Sequence, residues 1–326
     1  MPKSHTTAKT VSKEANLSRR RRYTSFPTGA LCLSLTPVRL DILRFLAELR
    51  FLSLPQIARL CCPSPRQDLA EKNARRQMRL LFDAGLVNVI PVSRAALAPL
   101  DTPNDASLLY GSAPNIYAPT VLGLETLHCA GLIEKPDASR KKATYGPKNS
   151  LFLAHELAVR DMRVWLEACA RLSQEEQWVL FWRDGQNAVL KIRAAHDVRP
   201  DAWFVYRMGQ RADSDTVLVG LVEVDRGTER GDTRWQEKLE AYKALFSGEA
   251  LRAATGYVNA RVLVIAPNGK RRDQLTKFIT KNGGAMAARF WLADQEVYDR
   301  PELARPAWRQ GGGSQVLSPL WAHTME

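Results

Sequence analysis

The sequence predicts an α/β protein, α+β overall, in which a small helical domain precedes a larger domain with a mixed sheet. The length of 326 residues suits two domains, because single domains usually run to about 100–200 residues. Three helix-like segments and a strand-like segment come first, and an α-β-β-β-α-β-α-β order follows from residue 150. An antiparallel hairpin that feeds a helical crossover favours a mixed sheet with helices on both faces.

The helical domain is predicted from apolar residues at helical spacing after residue 35. Prolines at Pro37 and Pro55 open the first two helices, a third helix covers residues 69–84, and Leu86–Ile90 is typical of a strand. Three short helices followed by a strand pair form the layout of a winged helix-turn-helix domain, predicted here over residues 36–133. A small helical bundle with a solvated basic face is the alternative.

Basic residues are concentrated in residues 1–35 and on the third predicted helix. Residues 1–35 carry a net charge of +6 out of +13 for the whole chain, which predicts a disordered basic arm. Arginine and lysine neutralise phosphates and also read base edges, so both regions predict DNA as the partner. The predicted DNA-binding residues on the third helix are Lys72, Asn73, Arg75, Arg76 and Arg79, and those in the arm are Arg19, Arg20, Arg21 and Arg22.

Composition also excludes several classes. Five cysteines at irregular spacing, without a C-x-x-C motif, argue against a disulfide framework or a zinc site. Apolar runs are too short for a membrane span or a signal peptide, so a cytoplasmic protein that does not contact a membrane is expected.

The second domain is predicted over residues 151–300, after a linker at residues 134–150 and before a loop-like tail at 301–326 that contains "QGGGSQ". Within the first domain, a loop or wing tip is expected at residues 94–114. The segment "IYAPTVLGLETLHCAG" is expected to be a strand that leads into a helix, with Gly123 permitting close packing. The predicted helices of the second domain are 150–172, 233–246 and 270–280, and its predicted strands are 178–183, 202–207, 217–224, 261–266 and 289–292.

Two acidic motifs flank the central hairpin of this domain. Asp201 opens the second strand, and Glu223 and Asp225 stand at the end of the third, beside a buried apolar run. Since the start of one hairpin strand lies beside the end of the next, Asp201 and Glu223 are expected to approach each other. Two such carboxylates suit Mg²⁺ or Mn²⁺, which can orient water against a phosphodiester. The structural alternative is that Glu223 and Asp225 only form salt bridges with Arg226, Arg230 or Arg234.

The strand order and these acids resemble the PD-(D/E)XK nuclease superfamily. The resemblance implies that Asp201, Glu223 and the Val224 carbonyl bind the metal, and that Glu156 is the helix-borne acid. The lysine expected two residues after Glu223 is replaced by Asp225, so the following helix has to supply the cation. Lys238 is the best candidate there, with Arg234 one turn earlier, whereas His155 is expected to be a helix-packing residue.

A closer resemblance is carried by "AHELAVRDM", "RPDAWFVY", "LVEVDRGTER" and "KLEAYKAL". These segments resemble the replication-relaxation family of plasmid and mobile-element proteins, which implies DNA, replication or mobilisation proteins and a second copy of the chain as partners. One hypothesis is therefore a Mg²⁺- or Mn²⁺-dependent DNA endonuclease or nickase. The alternative is a non-catalytic DNA-binding regulator of replication or transcription whose nuclease fold is degenerate.

Overall fold

The structure of the protein is a computed structural model that describes residues 33–90, 92, 113–135, 150–173, 177–192, 197–211, 214–227, 233–313 and 316–320. Within these ranges the chain forms eight α-helices and two sheets, and it divides into two compact units. Arg19 to Arg22 and nearly all of the predicted arm, wing tip and linker lie outside the described residues. No helix in the described ranges combines the length and apolar character that crossing a membrane requires.

The first unit contains residues 33–54, 65–90 and 115–135 of the described chain. Its helices are α1 (Pro37–Leu49), α3 (Gln67–Asp83) and α4 (Val121–Cys129), and its strands are β1 (Leu52–Ser53), β2 (Val87–Ile90) and β3 (Ile116–Pro119). The strands form an antiparallel sheet in the order β1-β3-β2. The intervening helix α2 (Leu54–Cys61) falls almost entirely in the second unit.

Gly123 in α4 lies where the first unit leaves no room for a side chain. A Cβ at that position would overlap the carbonyl oxygen of Leu86, so the predicted close approach at Gly123 is confirmed. The helix is capped by Thr120, whose side chain accepts a hydrogen bond from the Gly123 N–H and donates one to the Gly85 carbonyl. These contacts join the start of α4 to the turn after α3.

The second unit is a seven-stranded mixed sheet with helices on both faces. Its helices are α5 (Ser150–Leu172), α6 (Thr233–Leu245), α7 (Ala250–Thr255) and α8 (Gly269–Gly283). Its strands are β4 (Gln177–Asp184), β5 (Ala202–Arg211), β6 (Ser214–Val224), β7 (Arg261–Ala266), β8 (Phe290–Asp294), β9 (Pro306–Gln310) and β10 (Ser318–Pro319). They lie side by side in chain order, β4 to β10; β6–β7 and β7–β8 pair parallel and the other neighbours antiparallel.

Alternation along the central strands divides the core between the two faces of the sheet. Trp203 on β5 packs in a cluster with Trp235 and Leu239 from α6. The neighbouring Phe204 packs in the opposite cluster, with Trp165 from α5. Both faces of β5 and β6 are therefore buried, which explains the nearly continuous apolar run of β6.

The expectation of a loop-like tail after residue 300 is wrong. β9 pairs antiparallel with β8, β10 pairs with β9, and Trp308 and Leu320 are fully buried. These short strands lack the long apolar runs of the central strands, and Trp308 is the fully buried side chain of β9. The predicted helices and strands before residue 300 are confirmed, while β1 and α7 were not predicted.

Gly220 in β6 provides a test of this packing. It lies opposite Phe204 of β5, and a Cβ at position 220 would overlap the Phe204 ring. Gly220→Ala is therefore expected to lower the free energy of unfolding by about 1–3 kcal/mol, the usual cost of overpacking a core. Urea denaturation measures this, with Gly269→Ala as the control, since a Cβ there meets only ordinary contacts. Equal stability of the two variants would contradict the packing.

Candidate functional site

Strand register brings Asp201 and Glu223 together at one edge of the sheet, where β5 begins and β6 ends. Ala202 pairs with Val222 in the antiparallel β5–β6 ladder, and the Asp201 N–H donates to the Val222 carbonyl at 2.9 Å. One carboxylate oxygen of Asp201, Oδ2, accepts the Val224 N–H at 2.7 Å. The start of β5 and the end of β6 are thus tied together by a side chain as well as by the ladder.

Glu223 is buried and both of its carboxylate oxygens are engaged from α6. Lys238 Nζ lies 2.8 Å from Oε2, and the Tyr242 hydroxyl donates to Oε1 at 2.7 Å. Lys238 and Tyr242 are four residues apart, so they share one face of the helix. Burial raises the pKa of Glu223, and the nearby Asp201 charge adds to this, although Lys238 and Tyr242 oppose it. The candidate cation from the following helix therefore reaches the acid at the end of β6.

His155 contacts Asp201, which corrects the expectation that it is only a helix-packing residue. Its Nε2 donates to Asp201 Oδ1 at 3.0 Å, and its side chain is 33% exposed. Burial by itself raises the pKa of Asp201, but the hydrogen bond and charge of His155, with the charge of Lys238, hold it below its usual value. Burial lowers the pKa of His155, and the bond to Asp201 more than offsets this, so its pKa is raised. The hydrogen bond between the two side chains is thus the contact that opposes the effect of burial on both groups.

Glu156, the predicted helix-borne acid, is the residue that follows His155 on α5. Its carboxylate is 3.2 Å from Arg160, a fully buried arginine that also donates to the Glu156 carbonyl. Asp184 at the end of β4 lies 3.9 Å from the same guanidinium group. The charge of the Glu156 carboxylate is thus partly balanced by Arg160.

Asp225, at the position where the nuclease resemblance implies a lysine, is held by a helix further along the chain. It is buried, its Oδ2 lies 2.8 Å from Arg271 Nε on α8, and its Oδ1 accepts the Gly227 N–H at 2.6 Å. Gly227 has a φ of +72°, which an L side chain rarely adopts. Asp225 therefore fixes the turn after β6 and ties it to α8.

Two carboxylates meet at this edge, without a larger ligand cluster. In the described ranges, no three His, Cys, Asp or Glu side chains converge closely enough to hold a metal ion. A carboxylate offers about four lone-pair sites, so Asp201 and Glu223 keep hard-oxygen capacity beyond the four hydrogen bonds already described. Mg²⁺ commonly uses one or two carboxylates and completes its shell with water and phosphate oxygens. The donor set at this edge fits such an ion.

A separate basic surface lies on α3 of the first unit. Ala70, Ala74, Met78 and Leu81 are buried on one side of the helix, and the opposite side exposes Lys72, Asn73, Arg75 and Arg76. Arg79 differs from these because it is half-buried and its Nε lies 3.0 Å from Asp83. Four of the five predicted DNA-binding residues of α3 are therefore presented to solvent.

Comparison with known proteins adds to this geometry. The sequence profile of the family described as replication-relaxation matches residues 43–260. The chain belongs to the replication-relaxation family. The match includes α3 and runs through α5, β5, β6 and α6, so it covers every residue of the Asp201–Glu223 site. Membership indicates a role in the replication or relaxation of a plasmid or mobile element.

Neither curated proteins nor solved structures gave a significant match to the chain.

Three partners in this replication-relaxation protein had not been predicted from its sequence as site contacts, namely His155, Tyr242 and Arg271. The four-residue spacing of Lys238 and Tyr242 was the one available signal among them, since it places both on one helical face.

Proposed function

We propose that this replication-relaxation protein binds DNA through its first unit and cleaves it, as an endonuclease or nickase, at the Asp201–Glu223 site with Mg²⁺ or Mn²⁺. The observation that carries the proposal is the 2.8 Å contact of Lys238 with Glu223, beside Asp201. Lys238 on α6 thereby supplies the cation that the nuclease resemblance implies at the position of Asp225.

The layout of the second unit supports a PD-(D/E)XK interpretation. Helix α5 precedes the meander β4-β5-β6, and α6 then leads to β7, which pairs parallel with β6. Asp201 opens the middle strand of that meander and Glu223 nearly ends the third. Two acids and a lysine at one sheet edge are the side chains that this nuclease chemistry requires.

In this proposal the metal is held by Asp201, Glu223 and the Val224 carbonyl. When bound, the ion lowers the pKa of a water molecule and offsets charge on phosphate oxygens. Lys238 adds positive charge beside the phosphate, and Tyr242 keeps Glu223 oriented by its hydrogen bond. Glu156, on the same helix as His155, remains a proposed assisting residue at the margin of the site.

The DNA-binding part of the proposal rests on the first unit. In this proposal the first three helices, α1 to α3, and the β1-β3-β2 sheet form a winged helix-turn-helix domain, with α3 as the recognition helix. The exposed Lys72, Asn73, Arg75 and Arg76 are types that contact phosphates and base edges. Replication or mobilisation proteins and a second copy of the chain are further proposed partners.

A non-catalytic DNA-binding function is the second candidate. Every carboxylate oxygen of Asp201 and Glu223 already accepts a hydrogen bond from the protein, and Lys238 lies where it would oppose a second cation. In this version the same charge network stabilises the sheet edge and the domain binds DNA or protein without cutting.

Incubation of supercoiled plasmid with Mn²⁺ separates the two candidates. The parent protein is expected to convert it to nicked or linear DNA, and Asp201→Asn is expected to abolish this while leaving DNA affinity almost unchanged. Asp299→Asn, which alters an exposed carboxylate in another part of the unit, is the control and should cut like the parent. DNA binding without any Mn²⁺-dependent cutting by the parent would favour the non-catalytic function.

A further inference from the structure

The carboxylate of Asp201 is held at both of its oxygens by protein groups from two different elements. Oδ1 accepts from His155 Nε2 on α5 at 3.0 Å, and Oδ2 accepts from the backbone N–H of Val224 at 2.7 Å. A carboxylate restrained at one oxygen can still rotate, whereas restraint at both fixes its plane. Asp201 therefore has a defined orientation toward the neighbouring Glu223.

The ring that provides half of this restraint is carried by a rigid element. His155 lies near the start of α5, whose following turns bury Val159, Met162 and Trp165 against the sheet. The His155 side chain itself is one third exposed, so the ring lies at the surface of the site rather than in the core. Its main described contact is the hydrogen bond to Asp201, which suits a residue that orients another side chain.

A histidine also suits this position electrostatically. Asp201 and Glu223 already place two carboxylates at one edge, and a third acid in contact with them would add like-charge repulsion. An imidazole N–H gives Asp201 a hydrogen-bond donor without that repulsion. Glu156, the next residue along the helix, has its carboxylate 3.2 Å from Arg160.

We infer that His155 is a positioning residue that orients the Asp201 carboxylate for a divalent metal ion. The inference rests on the proposed function and assigns to α5 a residue that the nuclease resemblance does not supply. Groups that orient metal ligands in this way typically change metal affinity or activity by about 10–100-fold when they are removed. His155 acts through Asp201 and needs no contact with the metal or the DNA.

Calorimetric titration of the DNA-free protein with Mn²⁺ tests this without relying on cleavage. His155→Ala is expected to weaken Mn²⁺ binding by about 10–100-fold. His155→Gln is expected to recover most of the loss, because its amide N–H can still donate to Asp201. His128→Ala is the matched control, since it removes an exposed histidine from the first unit and should leave the affinity unchanged.

The dependence of plasmid nicking on Mn²⁺ concentration provides the second readout. For His155→Ala, half-saturation is expected at a correspondingly higher Mn²⁺ concentration, with the rate at saturation and the KM for DNA close to those of the parent. A structural defect in the fold would instead lower the saturating rate, and circular dichroism of each variant checks the fold directly.

The outcomes separate the inference from the function on which it rests. A parent protein that neither binds Mn²⁺ nor nicks DNA overturns both. A parent that binds Mn²⁺, together with His155→Ala of equal affinity, overturns the positioning role alone. Binding by His155→Gln as weak as that by His155→Ala also overturns it, because the effect would then come from ring packing rather than from the hydrogen bond.

Discussion

Lys238→Met is expected to abolish Mn²⁺-dependent nicking and to lower the free energy of unfolding by about 3 kcal/mol, the lower end of the cost of breaking a buried ion pair. The substitution keeps the length of the side chain but leaves Glu223, only 2% exposed, with the Tyr242 hydroxyl as its described partner. An uncompensated carboxylate in such a position retains its desolvation cost without the attraction that offset it. Urea denaturation and plasmid nicking measure the two effects on the same protein.

Glu223→Gln combined with Lys238→Met separates stability from chemistry. The glutamine carbonyl can still accept from Tyr242 and carries no charge, so the double variant is expected to recover more than half of the lost stability. Nicking should remain absent, since both the cation and the acid are gone. Losses of stability that simply add in the double variant would contradict the coupling of the pair. Full nicking by Lys238→Met would refute its role as the cation.

Arg75→Ala with Arg76→Ala is expected to weaken binding to duplex DNA by about 1–3 kcal/mol if one of the arginines reads a base. Both side chains are exposed on the face of α3 opposite its buried residues, so their removal leaves the core of the unit intact. Fluorescence anisotropy with a labelled duplex at several salt concentrations measures the loss. Asp201→Asn, which changes the other unit, should bind almost as tightly as the parent.

The salt series also distinguishes a specific surface from general basicity. Each lost phosphate contact removes about 0.9 from the slope of log affinity against log salt. Deleting residues 1–35, with a net charge of +6, should therefore flatten the slope. Lys277→Ala with Lys281→Ala removes two exposed charges from α8 and serves as the control. If this control weakens binding as much as the α3 double variant, then α3 is not the recognition helix.

Most of the second unit could be predicted from the sequence because its elements are long and strongly patterned. Hairpin geometry placed Asp201 beside the end of β6, and the length of the following helix made Lys238 available to Glu223. β9 and β10 could not be predicted in this way. Their few residues show no apolar alternation, and Trp308 becomes buried only because β8 already provides a partner strand.

The contacts of His155 and Asp225 could not be predicted from the sequence for a different reason. His155 and Glu156 are one residue apart on α5, about 100° around the helix, so the choice between them depends on a rotation that apolar spacing does not fix. Asp225 stands two residues after Glu223, where the nuclease resemblance implies a lysine. Its partner Arg271 is 46 residues away in sequence, and only the parallel pairing of β6 with β7 and the following helix bring the two together.

The order of strands in the large sheet has a consequence for the way the chain folds. Each strand from β5 to β10 lies next to the strand that precedes it in sequence, so the sheet can grow outward from β4 as the chain leaves the ribosome. Asp201, Glu223 and Lys238 are all synthesised before β7, and each later strand adds to an edge that already exists. Incomplete chains that end before β9 would thus carry the acidic pair but expose the edge of β8, a surface prone to aggregation.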